Sequence, residues 1–249
     1  MDEETKTASS RALQRHDGVA LWRQIAQALR GAITAGRYPP GGRLPTEAAL
    51  AQDFAVNRHT VRRALEDLSR AGLVRVEQGR GAFVAEDVLD YTVASRTRFS
   101  EWIRRHNKEP SGQVLRLVEV AAEAVVAGAL GLRAGARVVM LERLGLADGR
   151  PVSLANHYFP ARLRGLREAL EASPTITAAL SAVGVTDYRR QVTRVTARIP
   201  TAEEAALLAM PRNRPLLITE NVNVDGAGAV VEFGIARYPT PRVQIVFEP

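Results

Sequence analysis

The sequence predicts an α+β chain in two parts: a small N-terminal domain of helices ending in a hairpin, then a larger domain built on an antiparallel sheet with helices. Two observations carry this. Between Leu21 and Leu68 the apolar residues recur at helical spacing, and at Leu73 the pattern switches to a short alternating run. Further on, an Asp-Gly pair twice joins two long alternating runs, at Asp148-Gly149 and at Asp225-Gly226. Asp-Gly between such runs is a strong hairpin signal.

In the first helix Leu21, Ile25, Leu29 and Ile33 repeat every four residues, and Gly36 stops it before the turn Pro39-Pro40-Gly41-Gly42. A second helix follows Pro45-Thr46. Thr46 suits its N-cap, Glu47 suits the positive end of its dipole, and Leu50 and Phe54 mark its buried face. Asn57 caps a third helix, in which Val61, Leu65 and Leu68 share one face, and Gly72 ends it. Leu73–Glu77 then alternates as a strand, Gln78-Gly79-Arg80-Gly81 turns, and Ala82–Ala85 returns. This order of elements is the outline of a winged helix-turn-helix, assigned to residues 17–85. Residues 1–16 are polar and read as a disordered tail, and 86–95 read as a linker.

The third helix carries the clearest chemistry. Its exposed face bears Arg58, His59, Arg62 and Arg63 at the N-terminal end, the end a recognition helix presents to base edges. Arginine matches the O6/N7 edge of guanine, and Asn57 or His59 can bond a base or phosphate. Thr60 and the free N–H groups of the first turn suit a phosphate oxygen. The hairpin tip offers Gly79 and Arg80 to a minor groove, where glycine permits close approach and arginine meets negative potential. Arg43 and Thr46, ahead of the second helix, complete the expected DNA-binding set. The alternative is a solvated face whose arginines pair with Glu66 and Asp67.

Residues 96–249 form the second domain. Helix, strand, Asp-Gly turn and strand occur twice, over about 122–160 and 202–239, as an approximate internal repeat on one sheet. Helices over 161–171 and 174–183 pack on it. Arg96, Thr97, Arg98 and Ser100 concentrate guanidinium and hydroxyl donors in one short segment. Arg143 sits beside Glu142 inside a strand whose remaining residues, 138–141 and 144–146, are uncharged, and a buried charge there is costly unless paired. Thr175 and Thr177 open a helix, whose N-terminus favours anions. These residues can hold an anion by charge-assisted bonds, and Glu232 and Tyr238 can bind the rest of such a ligand. Two alternatives stand beside this. Arg143 pairs with Glu220, each five residues before its Asp-Gly turn, or Arg96 and Arg98 are solvated linker charges.

Composition excludes several classes. The net charge of +7 comes from arginine, with only two lysines in the chain, and fits a phosphate-bearing partner or a codon bias toward arginine. There is no cysteine, hence no disulfide scaffold and no thiolate site. No apolar run approaches a membrane span, and the polar N-terminal stretch is not expected to act as a secretory signal. The expected location is the cytoplasm, with no membrane partner. The four histidines are scattered and no catalytic or phosphate-loop motif occurs, so neither an enzyme, a metal site nor a cofactor is expected.

The N-terminal motifs also carry a resemblance. Gly36-x-Tyr38-x-Pro40-Gly41-x-Arg43-Leu44-Pro45-Thr46-Glu47, Val56-Asn57-Arg58-x-Thr60-Val61-Arg62-x-Ala64-Leu65 and Gly79-Arg80-Gly81-x-Phe83-Val84 look like the GntR-type winged helix. The resemblance implies DNA contacts at Arg58, His59, Thr60, Arg62 and Gly79. It departs at Ala48, where the family often has a DNA-contacting arginine. The second domain resembles the UTRA effector domain of the histidine-utilisation-repressor branch, whose fold is chorismate-lyase-like. The carrying runs are Thr97-Arg98-Phe99-Ser100-Glu101, Leu141-Glu142-Arg143, Tyr158-Phe159-Pro160 and Val231-Glu232 leading to Tyr238. Tyr91-Thr92-x-x-Ser95-Arg96-Thr97-Arg98 and Leu154-Ala155-Asn156-His157-Tyr158 look most like the phosphonate-metabolism regulators. The resemblance implies a homodimeric repressor on double-stranded operator DNA, released by a small anionic effector. It places phosphate-binding positions near Arg98–Ser100, Arg143 and Thr175, and adds Asn156 to the effector-binding set. Phosphate, a phosphonate, a sugar phosphate and a carboxylate all remain open as effectors. Where some UTRA relatives carry a second arginine, this chain has Gly145.

Overall fold

The computed structural model describes residues 19–86, 88–96, 98–173 and 175–247. The tail expected over 1–16 lies outside the described residues. The chain divides into two compact units, residues 1–87 and 88–249.

In the first unit, α1 (Leu21–Thr34), α2 (Glu47–Asp53) and α3 (Arg58–Arg70) precede a hairpin of β1 (Val74–Glu77) and β2 (Gly81–Val84). The anticipated caps form. Thr46 Oγ1 accepts from Ala49 N at 3.2 Å, and Asn57 Oδ1 accepts from His59 N at 2.7 Å. Ile25, Leu29, Leu50, Val61, Leu65 and Leu68 interlock with Val74 and Val84 of the hairpin in one core. The segment before α2 adds a third edge to the hairpin. Leu44 N donates to Ala82 O and Val84 N to Gly42 O, each at 2.9 Å, and Arg43 bridges Phe83.

The second unit runs β3 (Leu89–Thr92), α4 (Phe99–Arg105), β4 (Pro110–Ala121), α5 (Ala124–Leu130), β5 (Arg137–Ala147), β6 (Arg150–Pro160), α6 (Leu166–Ala172), α7 (Ile176–Ala182), β7 (Tyr188–Arg198), α8 (Ala202–Leu207), β8 (Leu216–Asp225), β9 (Val230–Pro239) and β10 (Val243–Val246). Six strands form one antiparallel sheet in the order β4-β5-β6-β9-β8-β7. Counted inward from opposite edges, β4, β5 and β6 occupy the same places as β7, β8 and β9. Each half is a strand, a helix and a hairpin, and the halves meet where β6 pairs β9, from Leu154↔Arg237 to Tyr158↔Phe233. Among the described residues no helix is long and apolar enough to cross a membrane.

Three features differ from the sequence reading. Each half begins with an extra strand, β4 or β7. Both lie at sheet edges, mostly exposed, and so lack an apolar alternation. The stretch 86–95 is not a linker throughout. Leu89 and Tyr91 are buried, and β3 pairs in parallel with β10. Its partner lies at the far end of the chain, beyond the reach of any local pattern. The second Asp-Gly turn is longer than the first, because the Asp225 carboxylate accepts from Ala227 N and Ala229 N. At the first turn Asp148 (φ +49°) and Gly149 (φ +75°) both lie in the left-handed region that a two-residue loop requires.

The pleat gives the sheet two different faces. On one face α5 packs on Val138, Val222 and Phe233, and α8 packs on Leu144, Leu154 and Leu216. On the other, α6 and α7 cover Val139, Leu141, Phe159 and Val231, whereas α4, β3 and β10 cover Ala147, Ala155, Ala236 and Tyr238. Residues of both covers line a cavity of about 330 Å³ on this second face.

Candidate functional site

Two surfaces concentrate chemistry, one in each unit. In the first, Asn57, Arg58, His59 and Arg62 are exposed along the first turns of α3, with Thr60 half-buried beside them. Arg58 makes no ion pair among the described residues, so its guanidinium is available. Arg62 is engaged with Glu47 of α2. Its Nε and Nη2 reach the two carboxylate oxygens at 3.2 and 2.8 Å, and that guanidinium holds the Glu47 carboxyl below its ordinary range. The pair ties α2 to α3 and fixes where Arg62 is presented. Of the pairings weighed against a DNA surface, Asp67 pairs with Arg70 at 3.8 Å and with no arginine of the first turn. Arg63 turns away and lies 4.8 Å from the Trp22 ring centre on α1. In the wing, Gly79 and Gly81 have φ of +73° and +108°. A Cβ on Gly81 would lie 3.3 Å from Arg43 Nε, so glycine there leaves room for the exposed Arg43. Arg80 leans back on Glu77 at 2.5 Å.

In the second unit the cavity collects most of the expected effector residues: Arg98, Ser100, Arg143, Thr175, Thr177, Glu232 and Tyr238 all line it. Thr97 lies outside the described residues. Arg143 projects from β5 on the cavity face. Its Nε is buried without an acceptor, its terminal nitrogens make no hydrogen bond among the described residues, and burial pulls its pKa down. The guanidinium crosses Gly112 of β4, where a Cβ would stand 2.6 Å from Arg143 Nε. The weighed Arg143–Glu220 pairing does not form. Glu220 lies between Thr219 and Asn221 on β8, and because Asn221 lines the cavity the pleat turns Glu220 to the other face.

Arg98 comes from the residue before α4. Its Nη2 donates to Tyr188 O at 2.6 Å and its guanidinium lies 3.6 Å from the Tyr188 ring centre. Thr175 caps α7 by accepting from Ala178 N at 3.1 Å, and Thr177 Oγ1 lies 3.0 Å from Tyr188 Oη. Burial pushes the Tyr188 phenol up to about 12. Glu232 is buried on β9. Burial alone raises its pKa, but hydrogen bonds from His157 Nδ1 and Asn223 Nδ2, both at 2.6 Å, keep it below the usual value. Burial drives the Tyr238 phenol well above its ordinary range.

Two expected effector residues are elsewhere. Arg96 forms an exposed ion pair with Asp187 at 2.8 Å, outside the cavity lining. Asn156 is buried on the opposite face, where its Oδ1 accepts from Arg237 Nη1 at 2.6 Å. Its neighbours Ala155 and His157 line the cavity instead, a one-residue difference in strand parity. Sequence reasoning also missed Arg190, Asn221 and Asn223 at the cavity. Alternation along β8 and β9 could have found the two asparagines, which share the face of Glu232. Arg190 lies on an edge strand rich in arginine, and nothing local separates it from the solvated ones.

Known proteins give independent findings. The model of bacterial regulatory proteins of the gntR family matches residues 21–84, and the UTRA domain model matches residues 105–244. An uncharacterized HTH-type transcriptional regulator of Rhizobium meliloti is 39% identical over 241 residues, spanning 96% of this chain and 99% of the relative. The HTH-type transcriptional repressor PhnF of Mycolicibacterium smegmatis is 30% identical over 193 residues, 77% of this chain and 78% of the relative. The crystal structure of PhnF from Mycobacterium smegmatis superposes with a TM-score of 0.61 at 26% identity, covering 92% of this chain and 99% of that one. The chain thus belongs to the GntR family of bacterial regulatory proteins, joins that family's winged helix-turn-helix to a UTRA domain, and is a DNA-binding transcription regulator.

Proposed function

We propose that this regulator is a repressor that a small phosphorus oxyanion, a phosphonate or phosphate, releases from its operator. Arg143 carries the reading. It is a half-buried guanidinium facing a cavity, with no carboxylate to pair it among the described residues. Such a charge is expensive to hold unless an anion completes it, and a tetrahedral oxyanion accepts several guanidinium hydrogen bonds at once. Arg98 and the hydroxyls of Ser100, Thr175 and Thr177 supply further donors on the same wall. Glu232, steadied by His157 and Asn223, faces the remainder of the ligand. The similarity to the M. smegmatis repressor PhnF supports the sign of regulation.

The protein acts as a cytoplasmic homodimer in this reading, because one winged helix reads a half-site and a two-fold dimer reads two. DNA contacts are assigned to Arg43, Thr46, Asn57, Arg58, His59, Thr60, Arg62, Gly79 and Arg80. Binding at Arg98 and Ser100 reorders the segment 95–101 and lowers operator affinity. The cavity is assigned to binding and not to turnover. A thermal-shift screen against phosphate, alkylphosphonates, aminoalkylphosphonates, sugar phosphates and carboxylates tests this, repeated with Arg143→Ala and followed by operator binding. A rise of several degrees with one phosphorus anion, absent in the variant, is the expected result. A rise untouched by Arg143→Ala removes the assignment of the anion site.

A further inference from the structure

We propose that Arg190 is a third effector-binding guanidinium of this cavity beside Arg143 and Arg98, held in reserve by Tyr91, and that its transfer from Tyr91 to the effector loosens strand β3. The proposal rests on the reading of the cavity as an oxyanion site.

Arg190 lies near the start of β7 and lines the cavity. Its Nη1 donates to Tyr91 Oη at 2.8 Å, and its Nε is buried with no acceptor. It forms no ion pair with a carboxylate among the described residues. A phenol is a weak partner for a full positive charge, and a charged acceptor makes the stronger bond. An oxyanion entering the cavity therefore competes well for this guanidinium.

Tyr91 is the cavity's contact with β3. Its ring meets Trp102 edge-on at 5.0 Å and tilts against Tyr238 at 5.0 Å, so its hydroxyl is delivered to Arg190 from a packed position. β3 is only four residues long and pairs with a four-residue strand. So short a pairing depends on its side-chain ties. Arg190 supplies two of the ties on this segment. Besides the bond to Tyr91, its main-chain N donates to Ser95 O at 2.7 Å. The same residue thus touches the effector cavity and both ends of the segment 91–95. β3 is also the first element after the boundary between the two units. The proposed loosening therefore acts on the first strand that follows the DNA-binding unit in the chain.

A ligand shifts an equilibrium only by its difference in affinity for the two states. In one state Arg190 is bonded to Tyr91 and β3 is firm. In the other it is bonded to the anion and β3 is loose. Tyr91→Phe keeps the packed ring and removes the acceptor. It loosens β3 in advance and frees Arg190, so an oxyanion binds more tightly, whereas loss of a merely structural contact gives no gain in affinity.

The test uses the full chain with inorganic phosphate and ethylphosphonate as probes, read by calorimetry and by hydrogen exchange of residues 89–93. In the native protein, saturating probe is expected to speed exchange there, where Leu89 N donates to Arg242 O and Val93 N to Val246 O. In Tyr91→Phe that exchange is fast before any probe is added, and the probe binds about tenfold tighter. If the variant binds no tighter, or if the probe slows exchange over 89–93 in the native protein, the transfer is refuted. Should Tyr91→Phe fail to fold, the exchange response of the native protein decides alone. A native protein that binds a probe through Arg143, with unchanged affinity in Tyr91→Phe, keeps the oxyanion site and loses the transfer. If neither probe binds the native protein, both fall.

Discussion

Replacing Gly145 by alanine tests how the cavity wall is packed. Gly145 lies on β5 opposite Ser153 of β6, beneath the first turn of α4. A Cβ there would stand inside contact distance of Ser153 Oγ and 2.7 Å from Phe99 Cε2 and Cζ. The backbone is not in the left-handed region at this residue, so the effect is steric alone. Phe99 cannot withdraw easily, because its ring meets Trp102 at 5.7 Å. Forcing a methyl group into a packed site costs about 1–3 kcal/mol, which in a chain of this size lowers Tm by ~2–4 °C per kcal/mol. Urea denaturation of Gly145→Ala, Phe99→Ala and the double variant checks it. Truncating Phe99 removes the ring contacts and leaves the one with Ser153 Oγ, so the cost of the alanine should fall by at least ~0.5 kcal/mol without vanishing, a coupling that a double-mutant cycle reads directly. If the two costs add, the ring is not what excludes a side chain at 145. The same contact bears on the second arginine that the resemblance to some UTRA relatives implies at this place. In this chain Phe99 fills the volume such a side chain would start from.

Three further outcomes follow from the geometry. Arg58→Ala should weaken operator binding by about 1–3 kcal/mol in a mobility-shift titration while leaving Tm unchanged, because Arg58 is exposed and outside any ion pair among the described residues. Thr201→Ala should lower unfolding free energy by about 1 kcal/mol, since Thr201 and Glu204 form a reciprocal capping box on α8. Glu204 is held at about 2 by the Arg198 guanidinium, against an ordinary value of 4.5. Its folded value is depressed, so its contribution is complete above 4.5 and is lost as pH falls toward about 2. Native protein and Glu204→Gln should therefore differ most in urea midpoint near neutral pH and converge on acidification. A gap that stays constant down to pH ~2.5 contradicts this assignment.

The first unit was legible because every level agreed. Apolar spacing, Thr46 and Asn57 as caps and the glycines of the wing all point to one arrangement. In the second unit the Asp-Gly pairs revealed the hairpins, and the same alternation hid their edges. β4 and β7 each have one strand neighbour and water on the other side, so residues such as Arg116, Arg189 and Arg194 break any apolar pattern. Arg143 stood out because its same-face neighbours Val139, Leu141, Gly145 and Ala147 carry no charge, Glu142 having the opposite parity, and its place in the cavity follows from that. Arg190 stood among Arg189, Arg194 and Arg198, and only the tertiary fold distinguishes it. Asn156 was misplaced because side-chain direction in a strand turns on a single residue of register, which sequence fixes only when one face is plainly apolar. β6 is buried on both faces, so composition gave no parity.

The mirrored sheet has a consequence for how the unit assembles. Its halves are each local, a strand, a helix and a hairpin close in sequence, but they are joined by five register pairs between residues 154–158 and 233–237. Local hairpins close quickly, and a join between distant segments closes late. Cavity residues come from both sides of that join, His157 from one and Glu232 from the other. Neither half alone presents a complete pocket, and competence to respond arrives only with the final zippering. If the cavity takes the anion proposed for it, a molecule gripped from both sides acts as a rivet through the seam, so occupancy should slow the unzipping of the sheet.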